Sequence, residues 1–279
     1  MSRRIADLYP RAFVTGASSG LGRAFAEKLI EDGVRVWGTA RDSARLADFA
    51  ARCPTKFSPV ILDLADASAA EKAFALAAES AGGFDLVINN AGYGVFGGFE
   101  TVEFSVWKAQ LDATLVTTLC LAHRALREMR ARNRGCLVNV SSLAVELPLP
   151  YMSGYNIAKA ALSAFSESLI VETKGSGISV IDFRPGDFRT DFNQAMQSVS
   201  PSAPASSPTT SRVWQALENH LRAAPVPAQA AIDLRRALMK GRRGTVRSGS
   251  RFQACVAPFF TQFMPASLRR AVIARYYGL

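Results

Sequence analysis

Tyr155 and Lys159 stand four residues apart, and Tyr155 lies thirteen residues beyond Ser142. On a helix, positions i and i+4 share one face, so the phenol and the ammonium meet one turn apart. A neighbouring ammonium stabilises a phenolate and is expected to pull the phenol's pKa down from about 10 toward neutrality. A serine hydroxyl brought to the same point can hold a carbonyl or alcohol oxygen while the tyrosine passes it a proton. A tyrosine before a lysine is commonly a plain packing pair, so the set needs support from elsewhere in the chain.

That support lies near the N-terminus, where an apolar run enters Thr15-Gly16-Ala17-Ser18-Ser19-Gly20-Leu21-Gly22. Glycines at 16, 20 and 22 permit a tight turn and close backbone approach, and a helix starting there offers free N–H groups to a pyrophosphate.

These residues must be held by regular elements, and the pattern predicts them. Strands are expected at 11–15, 34–39, 58–62, 85–89, 135–140 and 178–184, with a short last one at 244–246. Helices are expected between them at 21–31, 43–51, 69–80, 102–132 and 155–174, then at 213–223 and 228–240. Strands separated by helices of ten or more residues imply an α/β fold, a doubly wound parallel sheet between two helical layers. The segment 198–211 (SVSPSAPASSPTTS) holds three prolines and six serines and reads as a flexible lid or linker. We expect a Rossmann-like domain over 1–250 and a basic, aromatic C-terminal extension over 251–279.

The 279 residues suit this size of fold. No apolar run reaches the roughly 18 residues a membrane span needs, and the N-terminus has no signal-like apolar core. Cys53, Cys120, Cys136 and Cys255 are scattered without pairs, which fits buried thiols in a reducing cytoplasm. With only His123 and His220 as histidines, no metal site is expected. The net charge of +10 is concentrated: residues 212–279 carry 12 Lys/Arg against Glu218 and Asp233, while the rest of the chain balances to zero. This asymmetry reads either as a solvated basic face or as a contact for an anionic partner, including a membrane surface. Leu268, Val272 and Tyr276 recur every four residues, and that stripe is expected to pack on the protein in preference to lipid. No nucleic-acid-reading motif accompanies the basic charge, so a nucleic-acid partner is not expected.

Taken together, the glycine turn, Asn89-Asn90-Ala91-Gly92 and the Ser142/Tyr155/Lys159 set resemble the short-chain dehydrogenase/reductase family over about residues 11–190. The resemblance implies cofactor contacts from Gly16, Ser18, Ser19, Gly20, Leu21 and Gly22, and from Asp63 and Leu64 at the adenine. It implies others from Asn90, Ala91 and Gly92, from Tyr155 and Lys159 at the nicotinamide ribose, and from Pro185, Gly186 and Thr190. Ser142, Tyr155 and Lys159 would be the catalytic residues. After the second strand the chain has Arg41, where an NAD enzyme of this fold has an acidic residue for the ribose 2′-hydroxyl; a guanidinium suits a 2′-phosphate, so NADP(H) is the expected cofactor. Asp42 could pair with Arg41 and blunt this. The family's asparagine, 28 residues before the serine, is replaced by Thr114, which cannot present a carbonyl and an amide together.

The expected activity is hydride transfer between NADPH and a carbonyl or secondary alcohol. The stretches 143–150 (LAVELPLP) and 192–196 point to an apolar substrate. The competing expectation is a cofactor-sensing binding protein with vestigial catalysis that docks an acidic partner or membrane through its C-terminus. Family members are often dimers or tetramers, which leaves a homo-oligomer open.

Overall fold

The computed structural model describes residues 4–200, 207–256 and 263–279. Seven strands form one sheet in the order β3-β2-β1-β4-β5-β6-β7, every neighbouring pair parallel. They are β1 Arg11–Val14, β2 Arg35–Ala40, β3 Phe57–Ile61, β4 Leu86–Asn89, β5 Gly135–Val140, β6 Ile178–Pro185 and β7 Gly244–Ser248. The central strands are short apolar runs because both faces of the sheet are covered. Phe13 points to one face, while Ala12 and Val14 point to the other.

One face packs against α1 (Gly20–Glu31), α2 (Ala44–Arg52) and α9 (Pro227–Met239), burying Phe25, Leu29, Leu46, Phe49, Leu234 and Leu238. The other packs against α3 (Ala67–Ala81), α5 (Thr117–Ala131) and α6 (Ser153–Glu172) around Phe74, Phe84, Leu121 and Leu169. This is the expected three-layer, Rossmann-like α/β/α architecture. The strand order reverses between β1 and β4, and in open parallel sheets the crevice at that switch point is where ligands bind.

Several expectations change. The helix expected over 102–132 is three pieces: α4 (Phe104–Leu111), one π turn over Asp112–Val116, and α5. Within it the Thr114 hydroxyl donates to the Gln110 carbonyl (2.5 Å), the Thr118 hydroxyl to the Thr114 carbonyl (3.0 Å), and the Thr117 hydroxyl leaves the helix for the Leu64 carbonyl (2.8 Å). Such threonine back-bonding competes with the regular ladder. The stretch 198–211 is not one linker. α7 (Phe192–Val199) runs into its start, and α8 (Pro208–Ala223) begins before its end. Pro208 sits at the first helical position, and Ser207 and Thr210 cap each other's backbone N–H; residues 201–206 lie outside the described residues.

At the C-terminus, the helix Ala266–Tyr276 leaves Leu268 and Val272 exposed; Tyr276 is partly exposed with its ring stacked on His220 (4.2 Å), and Tyr277 and Ile273 pack inward. The four-residue stripe missed this face because the anchor, Tyr277, falls just past the helix end. The cysteines are all free; Cys136 alone is fully buried and Cys255 is exposed. Among the described residues, no helix is long and apolar enough to cross a membrane. Part of the basic excess is tied to the domain body at its surface. Arg235 pairs with Asp32 (2.6 Å), Arg247 with Glu146 (2.8 Å), and Arg243 donates to the Ser176 carbonyl (2.7 Å).

Candidate active site

The carboxyl ends of the central strands open into one large cleft of about 1230 Å³. At its floor the chain turns from β1 into α1. Gly16 adopts φ +70°, and Gly20 φ +55°, conformations that favour glycine. The Gly16 N–H donates to Thr39 Oγ1 (3.1 Å), joining the turn to the end of β2. Thr15 Oγ1 accepts from the Asn90 and Ala91 N–H groups (2.9 Å each), and Asn90 Nδ2 donates to the Thr15 carbonyl (3.0 Å). The glycine turn and the Asn89–Gly92 segment are therefore one unit. Ser19 stands at the cap position of α1 but makes no side-chain cap hydrogen bond, so the helix presents its N-terminal N–H groups to the cleft.

Gly16, Ser18, Ser19, Gly20 and Leu21 line the cleft, as do Arg41, Asp63, Leu64, Asn90, Ala91, Gly92, Pro185, Gly186 and Thr190. Gly22 does not. A Cβ there would sit 2.2 Å from the Gly16 carbonyl oxygen, so Gly22 lets helix and turn touch and does not itself meet a ligand. Asp42 accepts from the Arg45 N–H (3.2 Å) and so caps the start of α2 instead of pairing with Arg41. Arg41 has no hydrogen-bond or ion-pair partner among the described residues.

Further along the cleft, Ser142, Tyr155 and Lys159 converge from two elements. Ser142 follows β5 and caps a single 3₁₀ turn (Leu143–Val145), its Oγ accepting from the Ala144 N–H (3.0 Å). Tyr155 and Lys159 lie on the first turns of α6, with the Lys159 Nζ 5.7 Å from the centre of the Tyr155 ring. The ammonium donates to the Val140 carbonyl (2.7 Å), not to the phenol. Burial pushes the Tyr155 phenol up to about 12, against the hydrogen bond to Ser142, and the Asp187 carboxylate adds to the rise. Burial also pushes the Lys159 ammonium down to about 8, against the attraction of Asp182. The expected lowering of the phenol's pKa is thus reversed, because desolvation of a buried phenolate outweighs the hydrogen bond from Ser142.

Thr114 is buried below Gly92, its methyl 3.0 Å from where a Cβ on that glycine would stand, and its hydroxyl is spent on the Gln110 carbonyl.

The mouth of the cleft is apolar. Phe96, Met152, Met196, Trp214, Leu217 and Tyr277 form a separate cluster there, and the Tyr155 ring meets Phe192 edge-on at 5.6 Å. Two residues outside the sequence expectations shape this end. Gln253 donates to the Asp187 carboxylate (2.6 Å) and accepts from the Asp187 N–H (3.3 Å), holding the loop after Gly186. No local pattern marks Gln253, since its partner is 66 residues away. Among the described residues, no group of three His, Cys, Asp or Glu is placed to hold a metal ion.

The family model for short chain dehydrogenases matches residues 10–200. The chain is 33% identical over 205 residues to an oxidoreductase of Botryotinia fuckeliana, covering 73% of this chain and 72% of that one. A short-chain dehydrogenase structure from Streptomyces avermitilis superposes with a TM-score of 0.78 at 28% identity, over 94% of both chains. One from Burkholderia phymatum, in complex with NAD, shares the fold with a TM-score of 0.80 at 21% identity, over 91% of this chain and 92% of that one. With half the chain and more inside that family model, the protein belongs to the short-chain dehydrogenase/reductase family and is an oxidoreductase that uses a nicotinamide cofactor.

Proposed function

We propose that the protein is an NADP(H)-dependent reductase of carbonyl groups, or the reverse alcohol dehydrogenase, acting on an apolar substrate. The observation that carries this reading is the single cleft that joins an uncapped, glycine-built helix N-terminus to a buried Ser–Tyr–Lys set. Its volume exceeds the roughly 300–1000 Å³ usual for one small-molecule ligand, which suits a dinucleotide plus a substrate.

The residues fit such a cofactor. The Gly16–Leu21 turn offers backbone N–H groups for a pyrophosphate; Gly16 is held at φ +70°, and a side chain at Gly22 would collide with the Gly16 carbonyl. Asp63 and Leu64 line the same cleft and would meet the adenine, and Arg41 is a free guanidinium for a 2′-phosphate, which supports NADP(H) over NAD(H). The bound nicotinamide would supply or accept the hydride. The chain's own part is to place and protonate. Ser142 donates to the substrate oxygen, and Tyr155, held neutral by burial, gives that oxygen its proton. Lys159 then faces the phenolate that remains, which a buried ammonium stabilises far better than water would. The apolar mouth around Met152, Met196, Leu217 and Tyr277 supports a substrate with substantial hydrocarbon bulk.

Separate thermal-melting titrations with NADPH and NADH test the cofactor. A larger upward shift with NADPH is expected, because a ligand that binds only the native state stabilises it. NADPH oxidation is then followed with bulky apolar and small polar ketones, for the wild type and Tyr155→Phe. The variant is expected to lose about 10²-fold or more in turnover. A variant that keeps its cellular role without turnover would favour the cofactor-sensing alternative, and reduction of small polar ketones alone would exclude the apolar-substrate reading.

A further inference from the structure

Beneath the reacting residues lies a polar cluster that the roles above leave unused. Asp182, in β6, is fully buried. One of its carboxylate oxygens accepts from the Ser141 hydroxyl, on the residue just before Ser142. The other accepts from the Ser163 hydroxyl (2.7 Å) and from Arg184 Nε (2.8 Å). Ser163 lies on α6, one turn beyond Lys159. A single carboxylate thus joins the end of β5, which presents Ser142, to the helix that presents Tyr155 and Lys159.

Arg184 balances the charge and extends the cluster. Its side chain is 11% exposed, and it donates to Ser163 Oγ (2.8 Å) and to Glu146 (2.8 Å). Glu146 lies in the loop that lines the substrate side of the cleft, and Arg247 of β7 holds the same oxygen from outside (2.8 Å). A buried ion pair is weak as a source of stability, since apolar residues of similar volume commonly stabilise a core as well or better. What apolar residues could not do is fix the register of two catalytic elements through directed bonds.

We propose that Asp182 is a positioning residue for the reaction: it clamps the Ser142 strand to the Tyr155/Lys159 helix through the Ser141 and Ser163 hydroxyls. The inference rests on the catalytic roles proposed above. The ionisable groups that act on Lys159 are Tyr155 on α6, its ring centre 5.7 Å from the ammonium, and Asp182 on β6. Of these, Asp182 is the one that opposes burial at Lys159. Removing its charge leaves desolvation unopposed, so the ammonium loses its proton at lower pH.

The test compares full-length wild type, Asp182→Asn and Ser163→Ala. Each is assayed for NADPH oxidation with a bulky apolar ketone across about pH 6–10, with melting and NADPH titration in parallel. For Asp182→Asn we expect turnover at least about tenfold lower and the alkaline limb of the rate profile moved down by about one pH unit, with NADPH affinity kept within about twofold. Ser163→Ala loses one tie but keeps the charge, so its limb is expected to stay in place. A lower melting temperature with an unmoved limb in Asp182→Asn would reduce the residue to a structural role and overturn the inference. A wild type that reduces no carbonyl would overturn the proposed function together with this inference. If Asp182→Asn does not fold, the double variant Ser141→Ala, Ser163→Ala decides: about tenfold lower turnover at unchanged KM supports the clamp, and unchanged turnover overturns it.

Discussion

Desolvation governs the chemistry of individual residues here. Tyr155 is held near 12 and Lys159 near 8, so at neutral pH the pair is a neutral phenol beside an ammonium. That state donates a proton readily and accepts one poorly, which suits reduction. As pH rises through the lowered value of Lys159, the ammonium is lost and the phenolate left after proton transfer is no longer stabilised. Reductive kcat/KM is therefore expected to fall above about pH 8, and a profile flat to about pH 10 would exclude this role for Lys159. At the other end of the cleft, Arg41 has no competing acid, because Asp42 is occupied at the start of α2. Arg41→Ala is expected to weaken NADPH binding by about 10- to 100-fold, the worth of a charged hydrogen-bonding group, and to leave NADH binding unchanged. Calorimetric titration of the variant with both nucleotides measures this directly.

Among the elements, the junction of β1 with α1 is the most constrained. A side chain on Gly22 would meet the Gly16 carbonyl at 2.2 Å, so Gly22→Val must push the helix away from the turn. The expected result is loss of the nucleotide-induced melting shift while the circular-dichroism spectrum is retained. The opposite end of the central strands is pinned by Asp85, 1% exposed, which accepts from Arg11 (3.0 Å) and Arg134 (2.5 Å) and so ties the starts of β1, β4 and β5. Burial works against this carboxylate, yet the hydrogen bonds and charges of the two arginines outweigh it and hold its pKa below the ordinary value. A lowered folded-state pKa contributes stability above the ordinary carboxylate range and loses it as pH falls through the folded value. Asp85→Asn is expected to cost about 1–3 kcal/mol near pH 7, discounted for the partly exposed arginines, and to converge with wild type in acid melts.

At the scale of the whole molecule, two cores serve different ends. The two faces of the sheet are buried against α1, α2 and α9 and against α3, α5 and α6, and they hold the fold. The smaller cluster of Phe96, Met152, Met196, Trp214, Leu217 and Tyr277 closes the cleft, and the chain's final residues complete it. Tyr277→Ala is expected to raise KM for bulky apolar ketones by about tenfold, with little change for small ones, as steady-state kinetics on a size series would show. The basic excess of the last quarter also looks different in three dimensions. Arg235, Arg243 and Arg247 bind acids and carbonyls of the domain body, so part of that charge is structural glue.

The layered fold and most of the site were legible in the chain because they rest on local rules. Short apolar runs alternating with helices demand a parallel sheet, and Gly16 and Gly20 occupy backbone conformations that favour glycine. Spacing alone placed Tyr155 and Lys159 on one helix face. What depended on distant partners was not legible. The break at Asp112–Val116 coincides with threonine hydroxyls that donate to carbonyls of the helix and, at Thr117, to the distant Leu64 carbonyl, and the true packing face of the C-terminal helix depends on Tyr277 meeting residues more than fifty positions away. The rise of the Tyr155 pKa depends on burial, which no four-residue spacing encodes. Likewise, a lone aspartate in the sixth strand gives no hint that Ser141, Ser163 and Arg184 converge on it. The sequence by itself determined which chemistry-bearing residues are present and which elements carry them, since periodicity and backbone freedom are properties of short segments. Tertiary structure alone decided their charge states and their bracing, because desolvation and hydrogen-bond pairing arise only when remote segments exclude water from one another.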